Sequence, residues 1–321
     1  MPKETLIAIG AGVLSAISAT AFLSRAPGSL FFVYLASLPL FMAGLAFGPR
    51  AGAISGAVGF MAAGLVGGGL SAGVFGLMQA LPAWMIARQM LLQRPSGATP
   101  GAAIEWHPPG DTLCWLTMLV AGMLVLAAIA ASTGETGLSA LVAINLDQIL
   151  QSIAAEMDPG RRETMIGIMS PLFPGAAGVS WLLMIVVNAT LAQGLLVKMG
   201  HNLRPSPAYG GLQLPQWLSW PLVGSAALAL LGTGEMEYTG RNLAMILAVP
   251  YFFLGLTVVH AWAHRVSFTG TALVVFYLML VIWGWAALIV AGIGVIEQWS
   301  GLGRRIAGVD ENGPPQSNDN S

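Results

Sequence analysis

The side chains that could do chemistry in this chain are few and mostly uncharged. Asn188, Thr190 and Gln193 stand inside an apolar run, more than one helical turn before Lys198. Thr190 and Gln193 share a helical face, and Asn188 lies nearly opposite Thr190. Gln79 is likewise embedded in an uncharged run, and Asp147 and Gln151 widen the polar side of an amphipathic segment. Amides and hydroxyls at membrane depth need hydrogen-bond partners, and residues of this kind often mark a solute path. Bonding between neighbouring helices is the plainer reading. A polar lining is the sharper one, and it would suit a neutral or zwitterionic small molecule.

Acid–base, metal and nucleophilic chemistry have less to stand on. Glu235 and Glu237 fall in what reads as an open loop, Gly232 to Asn242, where a carboxylate pair is usually just solvated. His260 and His264 are one helical turn apart, yet neither a third ligand nor the glutamate of HExxH accompanies them. With Trp262 and Arg265 they read as an interfacial rim. The one cysteine, Cys114, reads as a packed side chain, and four scattered histidines offer no zinc-type ligand set. No GxxxxGK[ST] loop is present, so any pumping would require a separate ATPase. The expectation is a chain that is not an enzyme and carries no cofactor or metal.

Hydrophobic residues make up 56% of the 321 positions and charged residues 8%, too few charges to cover a soluble protein of this length. The lipid bilayer is therefore the expected environment, and a net charge of −1 argues against a nucleic-acid partner. Residues 5–24 form a charge-free first run in which Ala19-Thr20-Ala21 fits a cleavage signal, but the spans that follow favour a retained helix. Ala51 to Ala87 holds no charge, long enough for two spans of about 18 residues, with Gly67-Gly68-Gly69 as the turn between them. Further runs follow at Thr112 to Ser132, from Pro171 and Pro174 to Val197, at Leu243 to Trp262 and at Ser267 to Ile296. Residues 93–111 and Lys198 to Gln216 read as polar loops. From Leu138 to Met157 the apolar and polar positions alternate with helical period. That helix either lies in the membrane interface or caps a cavity, which would set Asp147 and Gln151 over a solute.

Small residues supply the packing pattern. Gly44, Gly48, Gly52 and Gly56 recur every fourth position around Pro49 and Arg50, and Ala8, Gly12 and Ala16 form a second ridge on the first run. Such ridges let helix backbones approach closely in lipid. The FGPRAGAISGAVG pattern resembles the turn between the second and third helices of the substrate-binding (S) components of energy-coupling-factor vitamin transporters. In those proteins a ridge on the first helix docks a coupling subunit, a role the resemblance extends to Ala8, Gly12 and Ala16. Packing within the chain explains that ridge equally well. Leu38-Pro39, the Phe47-Gly48-Pro49 turn, the amphipathic stretch after Thr136 and the end GVIEQWSGLGRR together resemble a bacterial membrane family known as domain of unknown function 2232. The family resemblance covers most of residues 5–305, and the S-component resemblance about 30–92.

These readings predict an all-α polytopic membrane protein of eight or nine transmembrane helices with one amphipathic interfacial helix. Residues 1–305 form one integral membrane domain, and 306–321 a disordered polar tail. Nine crossings would place seven Lys and Arg inside and six outside; with the short run after Trp217 re-entrant, the division is nine to four, which favours eight. The expected location is the inner (cytoplasmic) membrane of a bacterium. A solute-binding or transport subunit similar to an S component is the first functional expectation, with other membrane subunits, a separate ATPase and a small-molecule solute as partners. A structural or assembly protein of the cell envelope is the alternative.

Overall fold

The computed structural model describes residues 1–21, 28–95, 104–134 and 136–300. The tail expected over 306–321 lies outside the described residues. Among the described residues the regular structure is helical apart from one short hairpin, and the chain divides into two compact units, 1–123 with 173–207 and 124–172 with 208–321. Among the described residues, five helical stretches are long and apolar enough to cross a membrane: Ser29–Phe47, Pro49–Met90, Pro109–Ser132, Pro159–Met199 and Glu235–Ala263. A sixth is obtained by counting the bent pair Thr269–Ile282 and Ala286–Ser300 as one span. This is fewer than the eight or nine read from the sequence, and the difference arises where runs are short, broken or folded back.

The first unit is built on close backbone approach. α1 (Lys3–Thr20) buries Ala8, Gly12, Ser15 and Ala16. It packs on α3 (Leu38–Phe47) and α4 (Pro49–Phe75), with the short α2 (Ser29–Tyr34) between. α4 does not run straight. Gly68 has φ 78° and ψ −175°, a conformation essentially confined to glycine, and the chain doubles back there. The two limbs meet residue for residue: a Cβ on Gly64 would lie 3.2 Å from Ala72 Cβ, and one on Gly56 3.1 Å from Ala80 Cβ. The turn expected at 67–69 is thus a helical hairpin. Its second limb passes through a π-helical turn, Gly76–Ala80, and ends in α5 (Leu81–Met90). Trp181 Nε1 donates to Met78 O within that turn at 3.1 Å, an acceptor the widened helix leaves accessible.

The loop expected over 93–111 is partly structured. β1 (Gln93–Pro95) and β2 (Ile104–Trp106) pair antiparallel, with Arg94 opposite Glu105, before α6 (Pro109–Ser132) begins. Arg94 Nε donates to Glu105 at 2.8 Å, and this hydrogen bond holds the Glu105 carboxyl below the usual range. Both side chains are exposed, so the pair adds little to stability. α9 (Phe173–Met199) completes the unit against α3.

In the second unit, α7 (Leu138–Ile153) is the amphipathic helix, burying Leu138, Leu146 and Leu150. It pairs with α8 (Pro159–Met169), whose first turn is capped by Asp158 accepting from Arg161 N at 3.0 Å. The span starting at Leu243 begins earlier than expected. Glu235 opens α11 (Glu235–Leu247), which α12 (Val249–Ala263) continues past a break at Ala248 ahead of Pro250. The expected open loop at 232–242 is therefore largely helix: Glu235 and Glu237 sit in its first turn, where negative charge opposes the positive end of the helix dipole. The last apolar run, expected as one tilted span, bends by 117° between α13 (Thr269–Ile282) and α14 (Ala286–Ser300). The short α10 (Ser219–Leu231) packs on α11.

Candidate functional site

The polar residues expected to line a solute path fall in both units. In the first unit, Asn188 is buried and spends its amide on backbone, donating to Tyr34 O at 2.7 Å and Met184 O at 2.8 Å. Gln193 is buried too and donates to Arg204 O at 2.8 Å. Thr190 is exposed. Gln79 is buried in the π-helical turn, with its Oε1 enclosed. In the second unit, Asp147 accepts from Gln151 at 2.6 Å and pairs with Arg162 at 2.8 Å, an arrangement that ties α7 to α8. Interhelical and loop bonding accounts for these contacts. The double change Asn188→Leu and Gln193→Leu should accordingly lower stability by about 1–3 kcal/mol, the sum of two or more lost hydrogen bonds. Thermal unfolding in detergent measures this.

The small-residue ridges are placed within the first unit. A Cβ on Gly44 would lie 2.7 Å from Ala87 Cβ, one on Gly52 3.3 Å from Gly44 Cα, and one on Gly12 3.0 Å from Gly59 N while running into Ser55 O. Ala8 and Ala16 are fully buried beside them. Gly48 departs from the expected packing role. No atom approaches its Cβ position; its φ of 92° with ψ 172° makes the α3–α4 corner, and this backbone shape is what requires glycine.

Two features were not singled out in the sequence. Arg204, in the loop expected to be merely polar, is buried and donates to Met90 O at 2.9 Å and His107 O at 3.1 Å, with its guanidinium over Trp106. It closes the C-terminal end of α5, where a cation complements the helix dipole. In the second unit, Glu297 is the one buried carboxylate among the described residues, at 8% exposure. An ionisable group of this kind in a membrane helix is a functional candidate by default.

Glu297 lines a cavity of about 190 Å³. Three separate stretches build it: the 210–216 turn with Gln213 and Gln216, α12 with Leu254, Thr257 and Ala261, and α14 with Glu297 and Gln298. α12 and α14 are brought together at Gly255 and Gly294. A Cβ on Gly255 would run into Val290 O, and one on Gly294 into Tyr251 O. Gln298 Nε2 donates to Leu214 O at 3.0 Å and so fastens the turn to α14. Thr257 Oγ1 donates to Leu254 O at 2.8 Å. Exposed tryptophans Trp217, Trp262 and Trp299 each adjoin a lining residue, and tryptophan is the residue type enriched where membrane proteins meet the headgroups. One signal was available in advance: a carboxylate and two amides, Glu297, Gln298 and Gln216, each lie within two residues of such a tryptophan.

Apolar helices of spanning length, glycine-mediated crossings and a tryptophan-flanked polar cavity define a helical membrane protein. The chain belongs to the predicted membrane protein family DUF2232, whose sequence model matches residues 13–297. Comparison with curated proteins and with solved structures finds no match.

Proposed function

We propose that this chain is a solute-binding subunit of a membrane transport system, without catalytic activity of its own, in the inner (cytoplasmic) membrane of a bacterium. The cavity beside Glu297 carries the reading, because it joins a buried ionisable group to a space of about 190 Å³ flanked by exposed tryptophans. The likeness to S components is one of class. Ala8, Gly12 and Ala16 are buried against their own chain, so a coupling subunit would use another surface. Other membrane subunits and a separate ATPase remain the proposed partners. An eight-crossing arrangement fits the same reading: the doubling back at Gly68 supports two crossings within 49–90, and the 13 residues of α10 suit a re-entrant segment.

The test is chemical. The chain is purified from its native membrane in mild detergent, denatured, and the released small molecules are identified by mass spectrometry. The wild-type chain should release a compound at near-stoichiometric yield that is missing from Ala261→Trp, in which an indole fills the cavity. Identical release from both would sink the reading. Co-purifying proteins from the same sample bear on a structural or assembly role in the cell envelope, which one observation favours: α13 buries none of its residues. Envelope or division proteins in place of an ATPase and coupling subunit would support that role.

A further inference from the structure

We propose that Met90 is a modification site, oxidised to the sulfoxide by a peroxide. Thioether sulfur is a weak hydrogen-bond acceptor and ordinarily packs as an apolar atom. At the end of α5 it is used otherwise. Arg204 Nη1 donates to Met90 Sδ at 3.5 Å and Thr112 Oγ1 donates to it at 3.7 Å. Met90 is the one methionine among the described residues whose sulfur accepts hydrogen bonds. Thr112 is buried, and the sulfur is where its hydroxyl proton is spent. Arg204 Nη1 also donates to Met90 O at 2.9 Å and His107 O at 3.1 Å, so the guanidinium is held beside the sulfur by bonds that do not depend on it.

The chemistry follows from where charge develops. A sulfur lone pair attacks one peroxide oxygen, an S–O bond forms as the O–O bond breaks, and the departing oxygen takes the electron pair. With hydrogen peroxide the departing hydroxide then accepts the proton left on the new oxygen, giving the sulfoxide and water. Sulfur loses two electrons and the peroxide gains them. Negative charge grows on oxygen throughout, and a guanidinium N–H and a hydroxyl already stand beside the sulfur to donate to it. Oxidation usually puts a polar group among apolar neighbours. Here the donors precede the group: a sulfoxide oxygen aimed at them lies one S–O bond nearer than the sulfur and is a far stronger acceptor. Met90 is half-buried, which leaves the side chain partly open to a small neutral oxidant.

The full chain in detergent is treated with dilute hydrogen peroxide and quenched at intervals, and the oxygen added at each methionine is followed by mass spectrometry of its peptides. Met199 and Met236 are the references; they are 56% and 57% exposed, and each adjoins a charged residue, Lys198 and Glu235. On exposure alone Met90 should lag behind both. With its two donors in place it should be oxidised at least as fast. Thr112→Val, which keeps the branched shape and removes one donor, should slow Met90 by about threefold or more, the worth of a modest hydrogen bond, and leave the references unchanged. Thr112→Ser, which keeps the hydroxyl, should restore the wild-type rate. Thr112→Ala serves if the valine variant does not fold. A rate at Met90 below both references, or one indifferent to loss of the hydroxyl, would overturn the proposal. So would faster oxidation in Thr112→Val, since the hydrogen bonds would then be shielding the sulfur.

Discussion

Gly255→Leu and Gly294→Leu should each prevent the second unit from reaching its native state, whereas Gly292→Leu, on α14 close to Gly294, should be tolerated. The first two glycines are where α12 and α14 touch. The obstacles to a side chain there are the carbonyls of Val290 and Tyr251, and Gly255 N would lie 2.9 Å from a Cβ on Gly294. Side chains crowded by an extra methylene can rotate aside, which limits the usual penalty to about 1–3 kcal/mol. Backbone cannot rotate aside, so the helices must separate, and the cost should reach about 3 kcal/mol or more. No atom lies within 4 Å of a Cβ on Gly292, so a leucine there meets open space. Recovery of monodisperse protein and the unfolding temperature in detergent measure the contrast. Should all three variants behave alike, the helices do not cross at these glycines, and the cavity loses the contact that holds two of its walls together.

Gly12→Leu against Gly10→Leu is the matching experiment in the first unit. Gly12 is buried where α1 meets α4, with Val58 Cβ 3.0 Å from a Cβ at that position, while Gly10 is exposed and has nothing within 4 Å. The Gly12 variant, whose Cβ would also run into the Ser55 carbonyl, should lose about 3 kcal/mol or more, and the Gly10 variant should stay within about 0.5 kcal/mol of the parent. The pair also separates two uses of the ridge. A Gly12→Leu chain that folds normally and loses only its association with another membrane subunit would overturn intrachain packing in favour of docking.

Legibility in the sequence followed the range over which each signal acts. The hairpin at 67–69 could be read because a charge-free stretch too long for one crossing must turn, and three glycines supply the place. The amphipathic α7 could be read because helical period is local. Thr190 could not be assigned to a surface: in lipid, polar character alone does not tell which side of a helix faces protein, and the buried face of α9 is set by neighbours at Tyr34 and Arg204. The early start at Glu235 was hidden by its own charges. Those charges are held by partners that no window reveals, Glu235 accepting from the Ser139 hydroxyl at 2.5 Å and Glu237 pairing with Arg241. The Glu297 cavity was hidden for the same reason on a larger scale, since its walls come from residues near 213, 257 and 297. Gly255 and Gly294 belong to no repeat within either helix. Only the crossing joins them.

The doubling back at Gly68 also bears on how the chain enters the bilayer. Its two limbs bring Arg50 and Arg88 to the same end of the hairpin, while the closed end carries exposed Leu65, Val66 and Leu70 and no charge. Nothing at the closed end resists passage, and both open-end arginines resist it together. During synthesis the stretch should therefore be delivered to lipid as one two-limbed piece, its orientation decided by a single choice. Where both limbs cross, an inverted hairpin would have to carry both guanidinium groups through the bilayer.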